Sequence, residues 1–204
     1  MRFIFIRHGH CDGKGRPQRE KDKLPLNDSG RRAARAAGAY LKEEGIVPDA
    51  VFTTKTERTQ ETARVVLDAL GGVDLKLQAK GGGFRSGSTG GLDSKLDQWL
   101  AGVGVEPQTL LFVGHHISQS YCLRHLEGTP QIPAENRACV LVYEGGRGKS
   151  WTCVGAHVGL ASTPSAEEQY PHVYVSTDGW VVAYYPKERP SGWILPWADY
   201  SGGE

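Results

Sequence analysis

Arg7 and His8 follow directly on the apolar run Phe3-Ile4-Phe5-Ile6, Arg58 lies just past the short run Ala50–Thr53, and His115 follows the run Thr109–Val113. An imidazole can attack phosphorus when one ring nitrogen is unprotonated and the other is held by a hydrogen bond. Two guanidinium groups offer planar forks of donors that match phosphate oxygens. A helix starting near residues 55–58 would add backbone N–H groups and a favourable dipole, and His115, if protonated, would be a third cation. Together these groups fit phosphoryl transfer, in which a nucleophile stands in line with the leaving oxygen and cations neutralise the equatorial oxygens. A strand-end Arg-His pair taken alone is equally well explained as surface charge. The chemistry depends on whether the three segments meet.

The elements needed to bring them together can be read from the pattern. Phe3–Ile6 and Thr109–Val113 are unbroken apolar runs of the kind buried on both faces of a parallel sheet, and Ala50–Thr53 is a shorter one. Residues 11–28 read as a polar loop. Ser29 is placed to cap a helix that runs to about Glu44, with Ala33, Ala36, Ala37, Tyr40 and Leu41 on one face and Gly45 as its stop. Thr54 stands three residues before Glu57, the spacing of a capping box, which predicts a helix from beside Arg58 to about Leu70. Further expectations are a short strand at Leu75–Leu77, a helix carrying Leu92, Leu96, Trp99 and Leu100, a helix from Ser118 to Glu127, and two strands, Ala138–Tyr143 and Trp151–Val154, joined across Gly145-Gly146.

Alternation of strands and helices with non-alternating strands predicts an α/β three-layer sandwich around a mainly parallel sheet. Ligands of such sheets bind beyond the carboxyl ends of the strands, and Arg7-His8, Arg58 and His115 all fall there. Residues 1–159 read as one domain. Residues 160–204 read as an extension packed on it: aromatic- and Pro-rich, with three of the five tryptophans and a β-hairpin pattern from Val173 turning at Asp178-Gly179.

The 204 residues suffice for one domain with a full core. Hydrophobic residues make up 39 %, charged residues 23 %, and the net charge is +1, so no global field draws nucleic acid or an anionic membrane. Any anion must be held by individual arginines. No stretch approaches the ~20 apolar residues of a membrane span, no signal peptide is read at the N-terminus, and Cys11, Cys122, Cys139 and Cys153 show no CxxC pair. The expectation is a cytoplasmic protein with free thiols.

The motifs resemble those of the histidine phosphatase (phosphoglycerate mutase-like) superfamily. Arg7-His8-Gly9 after an N-terminal strand is similar to its signature, Arg58-Thr-Gln-Glu-Thr-Ala63 to its second motif, and Val113-Gly-His115 to its third. Leu26-Asn-Asp-Ser-Gly30 is similar to its entry to the first helix. The likeness runs through roughly residues 1–155, and the short spacing most resembles the small phosphohistidine phosphatases of the SixA type. It implies the fold expected above and a metal-independent phosphatase that uses no cofactor. It further implies that His8 forms a phosphohistidine which water hydrolyses, with Arg7, Arg58 and His115 completing the phosphate pocket. From their own positions, Gly9 and His116 beside the motifs and Arg85 in the glycine-rich loop are further binding candidates. The substrate would be a phosphorylated small molecule or a phosphohistidine protein. Neither nucleic acid nor membrane is expected as a partner, and a homodimer is left open.

One departure matters. Many members of that superfamily carry a glutamate proton donor after the third strand, whereas Ala79–Gly91 contains no carboxylate. Asp22 and Glu20, in the loop over the expected pocket mouth, are the candidates for the missing acid. A phosphoramidate or an acidic leaving group needs such help least. His10, Cys11 and His116 could join His8 and His115 around a zinc ion, but two arginines in the same pocket would repel a cation. A phosphomutase, and a phospholigand-binding protein that has lost turnover, are the competing functions.

Overall fold

In the computed structural model, residues 1–13, 17–73, 75, 77–79, 91–101, 106–115, 123, 126–130, 132, 136–146, 148–157, 172–175 and 181–184 are described. The strands are β1 (Arg2–Arg7), β2 (Ala50–Thr53), β3 (Leu77–Ala79), β4 (Thr109–Gly114), β5 (Val140–Glu144), β6 (Thr152–His157), β7 (His172–Val175) and β8 (Val181–Tyr184). The helices are α1 (Gln18–Lys21), α2 (Asp28–Glu43), α3 (Glu57–Ala69) and α4 (Gly91–Leu100). All eight strands join one sheet in the order β3-β2-β4-β1-β5-β6-β7-β8. The four strands β3, β2, β4 and β1 run parallel, and each later neighbour is antiparallel. The expected three-layer α/β fold is therefore present, with its parallel half carrying the basic motifs.

The lack of alternation in β1 has a direct cause. Ile4 and Ile6 pack with α2 and α3 residues such as Ala33, Ala37, Leu41, Ala63 and Val66. Phe3 and Phe5 pack on the opposite face with Leu92, Leu96 and Trp99 of α4. All four side chains are fully buried. A strand covered on both faces must be apolar at every position, so the run can only end where the chain leaves the sheet, at Arg7-His8.

Register then aligns the carboxyl ends. Arg7 pairs with Gly114 of β4 and Ile6 with Val113, while Thr53 of β2 also pairs with Val113. His8, Thr54 and His115 consequently emerge together along one edge. Beyond it the His8 backbone N–H donates to Gly114 O at 3.0 Å and that of Thr54 to Val113 O at 3.3 Å.

Local structure departs from the sequence expectations at four places. Asn27, not Ser29, caps α2: its side chain accepts from the Gly30 N–H at 2.8 Å. Asn27-Asp28-Ser29 are three cap-forming residues in a row, and the tertiary bond from Asn27 N to His10 O at 3.0 Å fixes which one stands outside the helix. No capping box forms at α3, whose N-cap is Thr56 without a side-chain bond; Thr54 turns instead to His115 and Thr59. The loop over residues 11–28 contains α1, a single turn after Pro17 too short for any periodicity to reveal. The edge strand near residue 75 begins two residues later, at Leu77, in register with Val51. Elsewhere β5 and β6 appear as an antiparallel pair within a residue or three of their expected ends. The helix expected over residues 118–127 is described only at Leu123, Leu126 and Glu127, and the Asp178-Gly179 turn lies outside the described residues.

Candidate active site

The Arg-His-Gly segment is held from several sides. Arg7 donates from its backbone to Cys139 O at 3.1 Å and from Nη1 to Asn136 O at 2.8 Å, which ties the end of β1 to the entry of β5. Between those two acceptors lies Ala138, a fully buried non-glycine residue with φ of 51°. Such a conformation costs about 1–3 kcal/mol and persists only where its surroundings impose it. Gly9 donates its N–H to Thr62 Oγ1 at 3.1 Å, and Thr62 in turn donates to Arg58 O at 2.6 Å. One threonine hydroxyl thus couples the Arg-His-Gly segment to the first turn of α3. Gly9 also lies against the backbone of Gly30: a Cβ on Gly9 would stand 2.6 Å from Gly30 O, and one on Gly30 would collide with His10 O. Glu61 completes the joint by accepting from Leu26 N at 2.6 Å and Arg31 Nε at 2.7 Å.

His8 is 8 % exposed, and its Nδ1 lies 2.7 Å from Gly9 O. A carbonyl oxygen only accepts, so Nδ1 carries the proton and Nε2 keeps its lone pair. Burial, followed by the nearby His115, lowers the His8 pKa to about 3; Arg58 and His10 act in the same direction. The His115 ring stands edge-on to that of His8, with centroids 5.0 Å apart at 71°. Its Nε2 is 3.1 Å from Thr54 Oγ1. Burial and the Arg58 charge lower its pKa to about 4. At neutral pH His115 is therefore uncharged, and the third cation that its protonated form would supply is not present there.

Arg58 is buried at 7 % exposure on the first turn of α3. Its Nη1 donates to Lys21 O, and its Nη2 lies 3.4 Å from Asp22 Oδ1. Asp22 is thus brought to the site by the turn that follows α1, and its own carbonyl accepts from Glu57 N at 2.9 Å. Glu20, the other candidate acid, is exposed on α1. His10 is buried and Cys11 half-buried, its thiol pushed up by burial. His116 and Arg85 lie outside the described residues. Among the described residues no three His, Cys, Asp or Glu side chains converge as a metal site, and no helix is long and apolar enough to cross a membrane.

His8, Arg7, Gly9, Arg58 and His115 are thus collected at one sheet edge, as the spacing of the motifs requires. Residues 3–81 match the histidine phosphatase superfamily, branch 1. The chain is 33 % identical to a 2,3-bisphosphoglycerate-dependent phosphoglycerate mutase of Parvibaculum lavamentivorans, across 76 residues that make up 37 % of this chain and 36 % of that protein. The mutase of Mesorhizobium japonicum is 43 % identical across 76 residues, 36 % of each chain. The match thus spans about a third of the length of these relatives. In structure the fold is that of the protein histidine phosphatase SixA complexed with tungstate, with a TM-score of 0.56 and 16 % identity over 75 % of this chain and 94 % of that one. A putative SixA from Agrobacterium tumefaciens gives a TM-score of 0.54 at 17 % identity, over 76 % and 96 %. A phosphoglycerate mutase from Bacillus anthracis gives 0.52 at 17 %, over 75 % and 91 %.

Three supporting residues carry no site signal of their own in the sequence. Thr62 was visible as part of the Arg58–Ala63 motif, although its bond to Gly9 was not. Thr54 carries the spacing of a helix cap, which points away from the site. Glu61 carries no signal beyond its place in the same motif.

The depressed histidine pKa values make stability depend on pH. Unfolded His8 and His115 take up protons near their ordinary value of 6.5, whereas the folded groups resist until about 3 and about 4. The unfolded state therefore binds more protons in that window, and each group removes about 1.4 kcal/mol of stability per pH unit as pH falls through it. The contribution is fully present above pH 6.5 and is lost below. Thermal unfolding followed from pH 7 to pH 4 is expected to show a falling Tm, with a shallower slope in His8→Asn and shallower again with His115→Asn added. Equal slopes in all three proteins would contradict the neutral-histidine site.

Proposed function

We propose that this chain is a metal-independent phosphatase that hydrolyses a phosphorylated small molecule or a phosphohistidine protein through a phosphohistidine on His8. The observation that carries the proposal is the His8 ring itself: Nδ1–H is fixed on Gly9 O while Nε2 stays unprotonated beside Arg58 and His115. An imidazole so held can attack phosphorus without first losing a proton. Arg7 and Arg58 receive the equatorial oxygens, and His115 gains a proton as the dianion arrives, since a negative charge at that distance favours its charged form. Transfer to Nε2 breaks the bond between phosphorus and the leaving atom. Water then attacks the phosphohistidine and returns His8 to its starting state.

A mutase that passes the group back to substrate is the second reading, because curated relatives that match about a third of the chain are phosphoglycerate mutases. Hydrolysis of p-nitrophenyl phosphate tests the enzymatic proposal, since that leaving group hardly needs a proton. Turnover is expected to survive EDTA and to be blocked by vanadate, which mimics five-coordinate phosphorus. Absence of turnover with retained vanadate binding would point to a phospholigand-binding protein, and recovery of a chelated enzyme by zinc would point to metal catalysis. Chasing the loaded enzyme with phosphoglycerate acceptors separates hydrolysis from transfer.

A further inference from the structure

Arg58, the arginine proposed to hold phosphate, is paired with a carboxylate of the chain itself. Arg58 Nη2 lies 3.4 Å from the Asp22 carboxylate, and the charge of Asp22 also reaches His115. The Asp22 side chain is 46 % exposed against 8 % for Arg58, so the carboxylate is the solvent-facing partner and the guanidinium the buried one. Its position does not depend on that ion pair alone. Arg58 Nη1 is bonded to Lys21 O, and Glu57 N donates to Asp22 O at 2.9 Å, so the backbone of the turn is pinned to the start of α3 on both sides of the side chain. A phosphoryl group on Arg58 and His115 must arrive beside this fixed negative charge.

We propose that Asp22 is a specificity-determining residue: it competes with phosphate for Arg58 and disfavours any substrate with a second negative charge close to the scissile phosphate. The proposal rests on the phosphatase reading of the same pocket and narrows its substrate class. The favoured substrates are phosphomonoesters and phosphoramidates whose leaving group is neutral or cationic, and phosphorylated carboxylic acids are selected against. The repulsion acts at this half-exposed carboxylate, where partial solvation leaves two like charges several ångströms apart with a discrimination of about tenfold.

Two phosphonates, which cannot be hydrolysed, read this directly. Methylphosphonate carries only the phosphate-like group, and phosphonoacetate adds a carboxylate beside it. Calorimetric Kd values are measured for both on the wild-type chain, Asp22→Asn and Asp22→Glu. In Asp22→Asn, phosphonoacetate is expected to gain about tenfold in affinity relative to methylphosphonate, while Asp22→Glu keeps the wild-type ratio. Using the ratio within each protein removes any general loosening of Arg58, which would weaken both ligands alike. An unchanged ratio with both ligands still bound would overturn the role of Asp22 and leave the phosphate pocket standing. Failure of the wild-type chain to bind either phosphonate would overturn the pocket and this proposal with it.

Discussion

His8→Ala is expected to abolish turnover of p-nitrophenyl phosphate, a loss of at least ~10⁴ in kcat, the scale on which enzymes lose rate when the nucleophile is removed. The fold should survive the substitution. His8 lies past the last residue of β1, and its backbone N–H, not its ring, continues the ladder to Gly114 O. Its ring is also an electrostatic liability in the folded state, since burial and His115 both disfavour its protonated form. Far-UV circular dichroism of His8→Ala should therefore match the wild-type chain, and its Tm at pH 5 should be no lower. Arg58→Ala offers a contrast. It removes a cation from the phosphate and also releases the Lys21 carbonyl and Asp22 carboxylate that Arg58 engages, so it should weaken vanadate binding as well as turnover. Turnover in His8→Ala within tenfold of wild type would remove the histidine from the mechanism.

The second large effect concerns the leaving group. With no carboxylate in Ala79–Gly91, Glu20 exposed and Asp22 engaged as an acceptor by Arg58, no described group is placed as a dedicated proton donor. An alkoxide would then depart carrying its full charge, and the rate should fall steeply as leaving-group pKa rises. Aryl phosphates are expected to outrun alkyl phosphates by orders of magnitude in kcat/KM across a homologous series. Neither Asp22→Asn nor Glu20→Gln should produce a loss confined to alkyl esters. If either cut alkyl-ester turnover by the ~10²–10⁴ typical of general acid catalysis and spared aryl esters, that residue would be the acid. A flat series unaffected by both substitutions would point instead to His10.

The site residues could be read from sequence where chain chemistry changes abruptly. Phe3–Ile6 is apolar at every position because both faces are covered, so the first charged residues after it mark the strand end and, in a parallel sheet, the ligand edge. The same reasoning placed Arg58 and His115. What sequence could not supply was the meeting of segments far apart in the chain. Thr62 bonded to Gly9, Glu61 bonded to Leu26, and Arg58 paired with Asp22 are all tertiary contacts without local periodicity. Local rules failed where the site made a stronger demand. Thr54 had the spacing of a capping box, yet its hydroxyl goes to His115 and Thr59, and Glu57 pairs with Arg64 at 3.2 Å instead of reaching back. The charge state of His115 was also beyond the sequence, because it depends on burial beside His8 and Arg58.

His8 Nε2 is the atom proposed to take the phosphoryl group. Rapid acid-free quenching of the enzyme with ³²P-labelled substrate, followed by peptide mapping, tests it most directly. The label is expected on the peptide containing His8, stable to base, lost in acid, and absent from His8→Ala. Label recovered on Cys11 or on a serine, or an adduct that resists acid, would contradict the mechanism.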